Sequence, residues 1–284
     1  LRSADTSIDA ERVQIDLFRR ATVARRASLA RSLSTTALQL SRRAIRNANP
    51  TAGDTEIAVH YVTVGYGSTL ADKLARYLQT PTKAVLVDPS TPDLLRALAP
   101  VVDAFEQIGI HYHVGGSLAS SAFGAARATA DINLVADLGV EQVDALGSRL
   151  ESAYYVAREG VREAVALQRS FNLIHLATMI KVDVFVPGSS GFDQQELVRA
   201  REQMLDLGEN ARSFFVKSAE DIVLRKLSWY RDGGQVSERQ WSDVIGVLKV
   251  QDARLDKGYL STWAARLGIT ALLEQALAEA ADPI

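Results

Sequence analysis

Three short stretches of this chain hold residue types that could handle a phosphate and a divalent metal ion. His113-Val114-Gly115-Gly116-Ser117 reads as a strand end running into a glycine-serine turn. There Gly115 and Gly116 let the backbone approach an anion, and Ser117 offers a hydroxyl and its own N–H at a helix start, where the dipole favours negative charge. Asp131-Ile132-Asn133-Leu134-Val135 alternates as a strand does, so Asp131 and Asn133 share one face while the apolar residues suit a buried sheet. Some fifty residues on, Lys181-Val182-Asp183-Val184-Phe185-Val186 repeats the design, one carboxylate inside a β-branched run that can pair with the first strand. Asp131, Asn133 and Asp183 would supply the hard oxygen ligands that Mg²⁺ or Mn²⁺ prefers, and two such ions can stabilise the attacking and leaving oxygens of an in-line displacement at phosphorus. Asn133 offers only a neutral carbonyl oxygen. Its presence leaves two readings open: a weakened metal site that receives Mg²⁺ on the nucleotide, or a degenerate one.

The elements that must position these groups follow from periodicity. Leu29, Leu33, Ala37, Leu40 and Ala44 are spaced by three or four, as on one face of a helix that Asn49-Pro50 would end. Arg25, Arg26, Arg31, Arg42, Arg43 and Arg46 lie on the same helix. They are either a surface for a nucleic acid or partner, or a solvated face, and no aromatic residue interleaves with them. Pro81, Pro89 and Pro92 surround the run Ala84-Val85-Leu86-Val87 and suggest a linker. Beyond it the pattern predicts a helix over 92–109, a strand at 110–114, the acidic strand from 131, helices over 140–152 and 158–168, a hairpin of strands 171–176 and 180–186, a helix over 192–206 and a strand at 214–216. From 218 onward only helices are expected. The order is α+β, a small mixed β-sheet palm flanked by helices, between a helical N-terminal unit and a helical C-terminal tail. The expected divisions are 1–80, a linker at 81–92, a palm over 93–217 and a tail over 218–284.

Composition narrows the chemistry. With no cysteine among 284 residues, disulfides, thiolate metal sites and cysteine nucleophiles are excluded. A hydrophobic share of 47% is ample for a core. No apolar run approaches the roughly 20 residues that span a bilayer, and no signal-peptide core is visible, so a cytoplasmic protein without membrane contact is expected. Residues 1–80 hold 12 Lys and Arg against 7 Asp and Glu, and the remainder 20 against 27, so the front is basic and the back acidic. Neither a P-loop nor a dinucleotide fingerprint follows the glycines, and no Gly-x-Ser-x-Gly elbow is present. His111, His113 and His175 lack metal-ligand spacing and read as core or sheet-face residues.

The combination of Gly115-Gly116-Ser117, Asp131-x-Asn133 and Asp183 resembles the nucleotidyltransferase superfamily, whose pattern is Gly-Ser, Asp-x-Asp on a strand and a third Asp on a neighbouring strand. It looks closest to the bacterial nucleotidyltransferase-like toxins of the abortive-infection AbiEii type, in which a helical lysine and a motif ending in Asp follow the third acid. Glu220 to Leu227, with Lys226, and Ser237 to Asp243 occupy those places here, although Ser237-Glu238-Arg239 departs from the toxins' pattern. The resemblance implies a metal-dependent enzyme that transfers NMP from an NTP to a hydroxyl of a protein or RNA, in a toxin-antitoxin or phage-defence setting with an antitoxin-like partner. Asp131 and Asp183 would hold Mg²⁺ or Mn²⁺, Gly115, Gly116 and Ser117 would hold the triphosphate, and Lys226 would offset its charge. Asp243 would position or activate the acceptor. Read from the residues alone, Lys226 could equally be a surface lysine, Asp243 a helix-surface acid or a partner for Arg239, and Arg127 either a phosphate contact or a partner for an acid. The rival is a catalytically degenerate nucleotidyltransferase-like protein that binds or regulates. Residues 1–80 would restrain or recruit the catalytic unit.

Overall fold

The computed structural model describes residues 8–79, 94–205 and 211–281. The expected linker at 81–92 and its Ala84–Val87 run lie outside these residues. Four helices come first: α1 (Ile8–Arg20), α2 (Val23–Ala48), α3 (Asp54–Tyr66) and α4 (Ser68–Leu78). They are followed by α5 (Leu94–Ile108), β1 (Tyr112–Val114), α6 (Gly116–Phe123), β2 (Asp131–Ala136), α7 (Val143–Leu150), β3 (Tyr154–Tyr155), α8 (Arg158–Ala166), β4 (Ser170–His175) and β5 (Ile180–Phe185). The rest is α9 (Gly191–Arg199), β6 (Arg201–Met204), β7 (Ser213–Val216), α10 (Ala219–Asp232), α11 (Glu238–Gln251), α12 (Lys257–Leu267) and α13 (Thr270–Ala281). This is the small mixed sheet flanked by helical N-terminal and C-terminal regions that the sequence predicts for a palm. Among the described residues no helix is long and apolar enough to cross a membrane.

The chain divides into two compact units, each assembled from separated stretches. One holds residues 1–30, 113–127 and 189–284; the other holds 31–112 and 128–188.

In the second unit β5 is central: β2 joins it in parallel and β4 antiparallel, with β3 antiparallel on β4. The alternation in β2 holds for Ile132 and Leu134, fully buried with Ala136, and for Asp131 and Asn133, half-buried on the other face; Val135, read with the buried residues, is half-buried on the acids' face. Ile180, Val182 and Val184 of β5 are likewise without exposure; side chains of this size each contribute about 1.5–3 kcal/mol when fully buried. The hairpin of β4 and β5 turns at Ala177-Thr178-Met179, where Met179 takes a positive φ of 50°. His175 is buried and its Nδ1 lies 2.7 Å from the Thr178 hydroxyl. Burial and the charge of Arg96 lower its pKa to about 4, so its ring is neutral at pH 7.

Helix α2 forms as predicted and ends at Ala48, but the buried stripe is not the one predicted. Leu33 and Leu40 are 49% and 62% exposed, and Ala37 and Ala44 are exposed as well. Ala27, Ala30, Ser34, Leu38 and Arg42 face inward instead. Hydrogen bonding explains the shift. The Arg42 guanidinium donates to the Thr178 carbonyl, and the Ser34 hydroxyl accepts from the Thr129 N–H at 2.9 Å. At the other end of the helix, in the first unit, fully buried Arg26 donates to the carbonyls of Ala122 and Phe18. Two arginines of the expected basic face are therefore internal, satisfied by backbone oxygens rather than by solvent.

In the first unit β7 lies between β1, parallel, and β6, antiparallel. Strand β6 was not expected; it occupies the end of the helix predicted over 192–206, which stops at Arg199. Its burial is low on both faces, so it lacks the alternation by which a strand is read. A buried ionic cluster ties the helices of this unit together. Glu196 of α9 accepts from Lys217 Nζ at 2.7 Å and from Arg225 of α10 at 3.0 and 2.6 Å, and Tyr259 of α12 donates to Asp221 at 2.6 Å. Ser218 and Ser237 cap α10 and α11, each accepting from a backbone N–H three residues on.

Candidate functional site

The predicted site residues fall into two clusters, one in each unit. In the first unit, Gly115 precedes α6 as its N-cap and Gly116 takes a φ of 58°, a left-handed conformation that glycine adopts without steric cost. The turn thus needs its second glycine, and Ser117 enters the first turn of α6. Arg127, in the loop after α6, reaches back to it: Nη2 donates to Ser117 Oγ at 2.6 Å. The same guanidinium grips Asp243 of α11 through Nε to Oδ1 at 2.6 Å and Nη2 to Oδ2 at 2.7 Å. Lys226 of α10 completes the cluster, with Nζ 2.8 Å from Asp243 Oδ2.

Glycine also allows the close approach that builds this cluster. A Cβ on Gly124, at the end of α6, would meet Val247 N at 2.9 Å and Gly246 C at 3.0 Å, both backbone atoms of α11. Residue 124 thereby lets the helix bearing Ser117 lie against the helix bearing Asp243.

The electrostatics follow from two cations sharing one carboxylate. Burial pushes the Asp243 carboxyl up, but hydrogen bonds and charges from Arg127 and Lys226 outweigh it and hold the group below the ordinary aspartate range. Burial lowers the Lys226 ammonium despite the opposing pull of Asp243. Asp243 and Lys226 are buried and Arg127 is about a quarter exposed, so Arg127 forms the front of the cluster and the Lys226–Asp243 pair its back. A carboxylate so clamped is a weak base. Asp243 holds Arg127 and Lys226 together in this arrangement. Its partners are Arg127 and Lys226, not the Arg239 four residues before it.

In the second unit Asp131 and Asn133 project from β2, and Asp183 from β5 lies directly across from Asn133. Asn172 of β4 is the next residue across from Asp183. Its amide donates to Asp183 Oδ1, and Lys181 Nζ lies 2.7 Å from Asp183 Oδ2. Thr129 Oγ1 donates to Asp131 Oδ1 at 3.0 Å. Burial raises the Asp183 pKa and the charge of Asp131 adds to that, against the lowering effect of Lys181 and Asn172.

Sequence reasoning named the acids here and missed Thr129, Asn172 and Lys181. The signal for Lys181 was available, because a residue two before Asp183 on a strand shares its face. Asn172 required the register of β4 on β5. These donors decide the fit of a divalent ion. Among the described residues no group of three or more His, Cys, Asp or Glu is placed to hold a metal, and both oxygens of Asp183 are engaged by this chain's own donors. A divalent ion placed on Asp183 would therefore compete with Lys181 or Asn172 for a carboxylate oxygen.

Comparison with known proteins adds little to this geometry. No family model and no curated protein matches the chain. It is similar to an antigenic nucleotidyltransferase-like protein from Paracoccidioides brasiliensis, with 18% identity and a TM-score of 0.38 over 64% of this chain and 91% of that one. It is also similar to the antibiotic-resistance factor ANT(2'')-Ia, with 13% identity and a TM-score of 0.40 over 64% of this chain and 95% of that one. Likenesses this distant carry no argument about the chemistry of the site.

Proposed function

We propose that this chain is a nucleotidyltransferase that moves a nucleoside monophosphate from an NTP to a hydroxyl of a protein or RNA. The observation that carries the reading is the Arg127 guanidinium, which touches Ser117 at the start of α6 and Asp243 of α11 while Lys226 backs the same carboxylate. Two cations gathered on one carboxylate stand beside a helix N-terminus and a glycine turn, a combination suited to phosphate. Ser117, though it accepts from Arg127, keeps its own hydroxyl proton to donate. Gly115 and Gly116 bring backbone close to the triphosphate.

In the transfer, the acceptor oxygen forms a bond to the α-phosphorus as the bond to the bridging oxygen breaks. Pyrophosphate leaves, and the hydroxyl proton passes to water. Arg127 and Lys226 offset the charge gathering on the leaving group. Mg²⁺ or Mn²⁺ enters as part of the nucleotide substrate. The setting we favour is the bacterial cytoplasm, in a toxin-antitoxin or phage-defence pair of the AbiEii type with an antitoxin-like protein as partner.

A second reading, a nucleotide-binding or regulatory protein that no longer turns over, is favoured by Asn133 and by the occupied oxygens of Asp183. Each α-labelled NTP, offered with Mg²⁺ to the intact chain and to Arg127→Ala with cell protein and RNA as acceptors, separates the two. Label passing to an acceptor only with the intact chain supports transfer. Binding that Arg127→Ala abolishes, without transfer, supports the second reading, and no binding of any NTP overturns transfer and nucleotide binding alike.

A further inference from the structure

We propose that Lys181 is the resident cation of the acidic row in the second unit, its ammonium competing for the place of a divalent ion, so that the row binds free Mg²⁺ or Mn²⁺ more weakly while that side chain is in place. The inference concerns the acids of β2 and β5 alone, and it holds whether or not the chain transfers nucleotides.

Register puts the lysine among the acids. Lys181 lies directly across from Asp131, and Asp183 across from Asn133, so the period of two brings all four side chains to one face. Three of the four carboxylate oxygens on this face accept from the chain's own donors: Asp183 Oδ2 from Lys181 Nζ, Asp183 Oδ1 from Asn172, and Asp131 Oδ1 from Thr129. Mg²⁺ demands near-ideal geometry and gives up water reluctantly. To share Asp131 and Asp183 it would have to compete with the ammonium at one Asp183 oxygen or with the Asn172 amide at the other. It would also suffer the repulsion of that ammonium nearby.

Lys181 is held where it is. Its side chain is 19% exposed, and the ammonium lies 5.4 Å from the centroid of the Tyr66 ring, within reach of a cation–π attraction. Its backbone N–H points to the Tyr66 hydroxyl at 3.4 Å, and that hydroxyl donates to the Ala130 carbonyl at 2.8 Å. Tyr66, the last residue of α3, thus braces the strand that carries Asp131 and the strand that carries Lys181. Charge gives the same answer. Two carboxylates and one ammonium leave a net charge of one negative unit, and the amide at Asn133 adds nothing to attract a second cation. Asn133 and Lys181 thus lie on one face with the two acids.

The test is titration of the full chain with Mn²⁺ in the absence of nucleotide, followed by electron paramagnetic resonance of the free ion and by calorimetry. The intact chain, Lys181→Met, Lys181→Gln and Lys181→Met with Asp183→Asn are compared, and near-UV circular dichroism establishes which are folded. We expect the intact chain to bind Mn²⁺ at least about tenfold more weakly than Lys181→Met, the scale on which a neighbouring side chain tunes metal affinity. Lys181→Gln should move the same way, and adding Asp183→Asn should cancel the gain. Equal Mn²⁺ affinity in the intact chain and in whichever Lys181 variants fold would overturn the proposal. So would tight binding by the intact chain that Asp131→Asn abolishes. NTP binding, measured separately, reports on the first unit, so failure of the nucleotidyltransferase reading would leave this result legible.

Discussion

Two clusters of charge, one per unit, solve opposite problems with the same parts. In the first, Arg127 and Lys226 converge on Asp243, two cations to one carboxylate. In the second, Asp131 and Asp183 share a strand face with Lys181, two carboxylates to one cation. Each brings opposite charges together within its own unit. The difference shows in the acids: Asp243 is pulled below the ordinary aspartate range and Asp183 is pushed above it. Residue type alone does not set what a buried aspartate does; the number and proximity of its donors do.

The largest effect should come from removing the carboxylate of the first cluster. Asp243→Ala leaves Lys226 and Arg127 facing each other inside the protein, and should cost about 3 kcal/mol in urea denaturation, the scale for an uncompensated buried charge. The sign with pH follows from the lowered pKa. The Asp243 contribution is fully present above its unfolded value, about 4, and is lost as the pH falls through the lower folded value. The acid limb of the stability curve should therefore flatten in the variant.

Next comes the packing that builds the cluster. Gly124→Ala would press a methyl group into the backbone of Gly246 and Val247, and overpacking of this kind costs about 1–3 kcal/mol. It should weaken NTP binding as well, because α6 carries Ser117 and α11 carries Asp243.

The second cluster should respond in the opposite direction. Asp183→Asn removes a carboxyl whose folded pKa is raised, so the charge that costs stability above the unfolded value is gone. At pH 7 the variant should equal or exceed the intact chain in stability. The gap should close as the pH falls towards 4 and the native carboxyl gains its proton. A loss of several kcal/mol at pH 7 would break the contrast.

The smallest effect is expected at Leu40, 62% exposed on α2. Leu40→Ser should change the denaturation midpoint by no more than the equivalent of about 0.5 kcal/mol, whereas Ser34→Ala, which strips a partner from the Thr129 N–H, should cost about 1 kcal/mol.

That pair of variants marks where the sequence was legible and where it was not. A strand with a strict period of two and β-branched neighbours, such as β2 or β5, announces its buried face, and the acids on the other face can be read directly. Helix α2 announces its existence but not its phase, because arginines that donate to backbone carbonyls can face inward while leucines stay outside. Strand β6 shows no alternation to read. The candidate site divides in the same way. Asp131, Asp183, Ser117, Arg127, Lys226 and Asp243 can each be named from type and spacing. What compensates each of them depends on pairings more than a hundred residues apart, as for Arg127 and Asp243, or on strand register, as for Asn172 and Asp183. The compact units are assembled from separated stretches, a division that no shift in composition marks.

The central claim, that the cations of the first cluster hold the triphosphate, is tested most directly by calorimetric titration of Mg²⁺-NTP into the intact chain, Arg127→Ala and Asp131→Asn, side by side. Binding that falls at least about thirtyfold in Arg127→Ala, roughly the loss of one charge-assisted contact of 2 kcal/mol, and changes little in Asp131→Asn is the predicted result. Binding that survives Arg127→Ala and disappears in Asp131→Asn would contradict it.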